Sequence, residues 1–265
     1  MFHFDPNKVY SMPPYFGGSP YDSTACSTIS NTLQLQFTYV TDERLLCSYI
    51  PEVFELLRPE ITLSYCEFHG VSFLNGSQYN VVQLTVPAIF HEKKDCIQGN
   101  FILVIWEDNT IPIYGGREES GMPKIPADIE NLRTYEGNHY GAVSFEGKTY
   151  LKVCANANSA LTSSEIRALN QETQALNAFG WRYIPNVGKP GPALSQPILY
   201  PQSMTIKKGY HCTGDIQWFP ISSGELLTQA HIINALRNLP IRQMKDIQLT
   251  SGSIRLCPAG GKILS

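Results

Sequence analysis

Apolar and polar residues alternate through "LQLQFTYV" (33–40), the pattern of a strand with one buried face. Further strand-like runs follow in "EITLSYCEFHGVSF", "YNVVQLTVPAIF", "NFILVIWED" and "TIPIYGG", punctuated by Gly76, Gly99 and Asn109. "GAVSFEGKTYLKVCA" (141–155) predicts a hairpin turning at Glu146-Gly147. "ILYPQSMTIKKGYHCTGDIQWFPI" is again β-rich, and "DIQLTSGSIRLCPAG" predicts a closing hairpin. Helical spacing appears three times. In "TDERLLCSYIPEVFELL", Thr41 and Asp42 can cap free amides ahead of Leu45, Leu46 and Ile50, and Pro51 stops the helix. "LTSSEIRALNQETQALNAFG" (161–180) has a capping box at Thr162 and Glu165, with Gly180 placed to end it. "GELLTQAHIINALRNLP" predicts a last helix closed by Pro240. Residues 1–30, rich in Pro, Gly, Ser and Tyr, read as an irregular arm, and 31–265 as one domain. Many strands with a few helices between them predict an α+β domain on a large, mostly antiparallel sheet or barrel.

Composition narrows the function. The net charge is −3 and charged residues make up 16% of the chain, which gives no reason to expect nucleic acid or an acidic membrane surface. The longest apolar run, "FILVIW" (101–106), is too short to span a bilayer. The seven cysteines are dispersed, none forms Cys-x-x-Cys, and no basic-then-apolar leader opens the chain. They read as reduced thiols in a cytoplasmic protein. The histidines are scattered, so His69 and His211 read as core or rim residues, and no metal is expected. Lys93 and Lys94 read as a solvated turn, and "NGS" (75–77) as a turn between strands. No nucleophile elbow, phosphate loop or dinucleotide fingerprint is present.

"GGREESGMPKIPADIE" (115–130) stands apart. Lys124 sits among Met122, Pro123, Ile125 and Pro126, directly after an Arg-Glu-Glu cluster. A lysine attacks a ketone only as the neutral amine, and at the ordinary pKa of ~10.4 roughly one in 2,500 is neutral at pH 7. An apolar pocket raises that fraction by desolvating the ammonium. The flanking prolines stiffen the backbone. The bland alternative is a turn lysine.

"YGGREESGMPKIPADIE" resembles the signature of the acetoacetate decarboxylase superfamily, in which a Gly-Arg-Glu precedes a Pro-Lys whose lysine forms an imine with a keto acid. "YVTDERLLCSYIPEVFEL", "DNTIPIY", "HCTGDIQW" and "NALRNLPIRQMKDIQLTSGSIRL" are similar to further parts of that family, so the resemblance covers about residues 30 to 258. It implies an acetoacetate-decarboxylase-like sheet closing into a cone-shaped barrel with a few flanking helices. It also implies a homo-oligomer and chemistry that needs no cofactor. Lys124 matches the imine-forming lysine, and Arg117 and Glu118 match the Arg-Glu before it.

Three departures qualify the likeness. The decarboxylases proper carry a second lysine directly after the first, where this chain has Ile125. The family's early-strand arginine falls at Thr32, and its glutamate before the "TVP" segment falls at Val81, which leaves Glu67 as the nearest acidic candidate. Other branches lacking the second lysine resemble aldolase-dehydratases. The expected chemistry is therefore a Lys124 iminium and enamine. Glu118 would move protons, Arg117 would hold a substrate carboxylate, and Met122 would line the substrate site. The expected substrate is a keto compound larger than acetoacetate, of the kind found in secondary metabolism. The rival reading is a non-covalent binding protein or cyclase on the same fold.

Overall fold

The computed structural model describes residues 2–18, 25–91 and 96–265, so Lys93 and Lys94 lie outside the described residues. Strand β1 (Ser27–Val40) leads through α1 (Glu43–Cys47) and β2 (Phe54–Leu56) to β3 (Glu60–Val71), β4 (Ser77–His91) and β5 (Cys96–Glu107). Helix α2 (Thr110–Glu118) precedes the short β6 (Lys124–Pro126), β7 (Asp128–Ile129) and β8 (Arg133–Tyr135). The chain continues as β9 (Asn138–Phe145), β10 (Lys148–Ala160), α3 (Ser163–Thr173), β11 (Leu176–Pro185) and β12 (Pro192–Trp218). It ends with α4 (Ala230–Arg237), β13 (Gln243–Leu256) and β14 (Lys262–Ile263). This is the α+β architecture that the alternation of the sequence predicts.

The strands form one 14-stranded sheet ordered β11-β5-β4-β3-β1-β13-β12-β10-β9-β7. β11 pairs β5 at one edge and β12 as well, so β11, β5, β4, β3, β1, β13 and β12 close into a ring. β12 closes it, and three of its partners follow one another along its length. Residues near 192–202 pair with β11, those near 202–211 with β13, and those near 210–218 with β10. All ring pairings are antiparallel except β11 with β5. One core packs Phe37, Leu63, Leu84, Trp106 and Ile233 under α4 and the β9–β10 hairpin. A smaller cluster holds Ile29, Cys66, Val81, Ile105 and Met122.

Several elements differ from expectation for identifiable reasons. "TIPIYGG" is helical: the Asn109 side chain accepts from the Ile111 amide, and Pro112 falls in the first turn, where its missing N–H is not needed. α1 keeps its Asp42 cap but ends at Cys47. α3 has the expected capping box yet stops at Thr173. The following residues become β11, because Phe179 packs on Phe54 and the strand closes the ring. "DIQLTSGSIRL" is one strand, β13, rather than a hairpin. Its Gly252 marks a bulge: a Cβ there would stand 1.9 Å from the Thr205 carbonyl oxygen. The Glu146-Gly147 hairpin forms, with both residues at positive φ, and Asn75-Gly76 turns the chain into β4. The reading of all cysteines as reduced is corrected, because Cys26 and Cys257 form a disulfide while Cys47, Cys66, Cys96, Cys154 and Cys212 are free. No helix among the described residues is long and apolar enough to cross a membrane.

Candidate active site

Every strand of the ring contributes to one cavity of about 1060 Å³: Ile29, Cys66, Val81, Ile105, Arg182, Tyr200 and Ile254 each line it. The irregular arm adds Met12, and the end of the chain adds Pro258 and Lys262. Lys124 enters this space from β6. That strand pairs parallel with β5 in the register Ile105↔Lys124, Trp106↔Ile125 and Glu107↔Pro126. Alternation then decides which way each side chain goes. Lys124 lines the cavity with Ile105 and Glu107, while Ile125 goes with Trp106 to the large core. The position of the family's second lysine therefore faces away from the Lys124 side chain, and Ile125 is a packing residue here.

The local backbone explains the glycines and prolines of the signature. The Met122 amide donates to the Gly116 carbonyl at 2.9 Å, folding the chain back over the last turn of α2. The Ile105 amide donates to the Pro123 carbonyl at 3.0 Å, fixing β6 on β5. The Lys124 side chain crosses α2 at Gly116, where a Cβ would come within 2.3 Å of the lysine Cδ. Glycine is required there by close approach. On the core side, the Trp106 indole donates to Gln229, whose amide donates to the Pro126 carbonyl at 2.8 Å. Trp106, beside Glu107 in the chain, and Pro126, paired with Glu107 across the strands, are thus tied to one buried side chain.

The structure brings a carboxylate to the lysine that sequence reasoning missed. Glu107, at the end of β5, places Oε1 2.8 Å from Lys124 Nζ. The lysine side chain is 15% exposed and the glutamate 2%. Burial lifts the Glu107 carboxyl above its usual range. The charge and hydrogen bond of Lys124 pull it back, and Asp108 adds a smaller lift. Its second oxygen is buried with no hydrogen-bond partner among the described residues. Nothing in "VIWEDN" marks this residue, because a glutamate closing an apolar strand reads as its solvated end.

The other candidates divide. Glu118 and Met122 line the cavity with Lys124. Arg117 does not: it is exposed, and its guanidinium donates to the Lys124 carbonyl at 2.9 Å, bracing the backbone of the signature. A second missed residue is Arg182 of β11, on the cavity wall, whose Nε is buried without a hydrogen-bond partner among the described residues. Burial raises the nearby Glu119 carboxyl, as does the like charge of Glu118, while Arg182 draws it down. Glu67 is not on the wall. Its neighbours Cys66 and Phe68 are, whereas Glu67 turns to the other face and accepts from the Leu132 amide at 2.7 Å. Thr32 is buried with its hydroxyl unpaired, and it too is off the wall. His69 pairs with Glu67 and His211 with Glu165, and no metal-binding cluster forms among the described residues.

Comparison with known proteins agrees with this fold. A family model described as acetoacetate decarboxylase (ADC) matches residues 11–249. The acetoacetate decarboxylase of Legionella pneumophila subsp. pneumophila str. Philadelphia 1 superposes with a TM-score of 0.77 at 20% identity, over 97% of this chain and 93% of that one. The enduracididine biosynthesis enzyme MppR was solved with the condensation product of pyruvate and imidazole 4-carboxaldehyde. It gives 0.73 at 15% identity, over 98% of each chain. An acetoacetate decarboxylase-like enzyme from Sphingomonas wittichii RW1 gives 0.71 at 15%, over 97% of this chain and 99% of that one. These likenesses are of fold. No curated protein matches the chain.

Proposed function

The chain belongs to the acetoacetate decarboxylase family, and on that premise we propose that it is a carbon–carbon lyase working through an imine on Lys124. The observation that carries this reading is the Lys124 amine, held in a closed-ring cavity within 2.8 Å of a buried carboxylate. Attack of the amine on a ketone and loss of water give an iminium. That cation draws electrons from the neighbouring carbon, so a bond there can break with release of carbon dioxide or a proton, leaving an enamine. The enamine can be protonated or can add to an aldehyde.

The substrate is a keto compound larger than acetoacetate. The cavity of about 1060 Å³ lies just above the roughly 300–1,000 Å³ typical of small-molecule sites. Met122, Ile105 and Val81 offer apolar wall near the lysine, and Arg182 on the same wall offers a guanidinium to a substrate carboxylate. MppR, with its pyruvate condensation product, makes condensation as well as decarboxylation a fitting outcome for this fold. The rival reading, a non-covalent binder, draws support from the same ion pair, since a lysine held as ammonium is no nucleophile.

Borohydride reduction in the presence of acetoacetate, pyruvate or longer β-keto acids separates the two. The peptide bearing Lys124 should gain the mass of the reduced adduct, and Lys124→Met should abolish the gain with the fold intact. Binding of keto acids without any adduct would decide for the rival.

A further inference from the structure

We infer that Glu107 is the acid and base of the imine-forming steps, a catalytic carboxylate placed one strand over from where the family resemblance puts it. The inference rests on the Lys124 reading above. The family's glutamate falls at Val81, on β4, and the residue paired with Val81 across β4 and β5 is Glu107. Directly opposed residues of antiparallel strands share a face, with Cβ atoms about 4.5–5.5 Å apart. Val81 and Glu107 both line the cavity. The carboxylate absent at 81 therefore reappears on the same wall, and it touches the reacting nitrogen at 2.8 Å. A salt bridge made only for stability is poorly placed here. Glu107 is 2% exposed and leaves Oε2 buried and unpaired, which a purely structural pair would not favour.

The proton count closes on this one residue. Nζ passes a proton to Glu107, giving an amine and a carboxylic acid. The nitrogen lone pair forms the N–C bond as the carbonyl π pair moves to oxygen, and Glu107 returns the proton to that oxygen. A second N–H proton then goes to Glu107, which delivers it to the hydroxyl. Water leaves as the nitrogen lone pair makes the C=N bond. The iminium keeps one N–H, Glu107 is a carboxylate again, and no outside proton or redox partner is consumed.

Two rates on the Lys124 peptide, read by mass on the full chain, test this. Acylation by acetic anhydride at pH 7 needs only a free amine lone pair, whereas borohydride-trapped addition of acetoacetate or pyruvate also needs the proton transfers. In Glu107→Gln, acylation should hold or quicken, because the ammonium loses its counterion. Trapping should slow by about 10²-fold or more, the typical worth of a positioned acid–base group. Trapping at the wild-type rate overturns the assignment. Should Glu107→Gln not fold, the exchange Val81→Glu with Glu107→Val is compared with Glu107→Val alone. Recovery of trapping in the exchange is expected, and none overturns it. Normal acylation of wild-type Lys124 with no keto acid ever trapped would sink the imine reading itself and take this inference with it.

Discussion

Gly116 has no side chain, yet it decides where the Lys124 amine lies. A Cβ there would meet the Lys124 side chain at 2.3 to 3.0 Å, so Gly116→Ala should push the amine off its position while leaving the backbone free to fold. Displacement by about 1 Å can cost 10²-fold. The expected result is a trapping rate lower by roughly that factor, with an unchanged circular dichroism spectrum and melting temperature. An unaffected rate would mean that the lysine works from another rotamer. Residues of this kind show what a sequence carries. Lys124 was legible because its apolar, proline-bounded setting is rare for a lysine. Glu107 was not, because its meaning comes from pairing with β4 and β6, partners distant in the sequence or set by a parallel register. Arg117 was misplaced for the converse reason: proximity in sequence to Lys124 put it on the lysine's backbone rather than in the cavity.

Elements set by local chemistry were read well, and elements set by the ring were not. α3 was legible at its start, where Thr162 and Glu165 satisfy one another, and illegible at its end, where β11 is recruited to close the sheet. That start predicts a pH dependence. Hydrogen bonds from the Thr162 side chain and backbone, then His211, hold the Glu165 carboxyl at about 2, below its ordinary 4.5. A depressed carboxyl adds stability above its unfolded value and loses it as pH falls through the folded one. Glu165→Gln should therefore melt below wild type at pH 7, by a margin that solvent screening keeps small, and the gap should close as pH falls from 4.5 to about 2. A gap that persists at pH 2 would assign the effect to packing. The alternation along β6 also sets which residue of the Lys124–Ile125 pair meets the cavity. The second position turns to the core with Trp106, so Ile125 adds apolar contact there and leaves the lysine's own surroundings unchanged.

For the whole molecule, the feature that organises the site is ring closure, which gathers residues from β1 to β13 around one cavity. No local pattern announces it, since "ILYPQSMTIKKGYHCTGDIQWFPI" reads only as β-rich and proves to lie in one strand of 27 residues. The Cys26–Cys257 bond lies just beyond the last pair of the β1–β13 ladder, Ser27 with Leu256, and spans 231 positions. Topologically the chain between those cysteines is a covalent circle. A circle cut once stays in one piece. The loop carrying Val187, 99% exposed between β11 and β12, is the natural place for a protease to cut. A molecule nicked there should run at full mass on a non-reducing gel and as two fragments after dithiothreitol, whereas Cys26→Ser should give two fragments in both lanes. For the cell, such a clipped molecule would carry its damage silently until a reductant opened the circle.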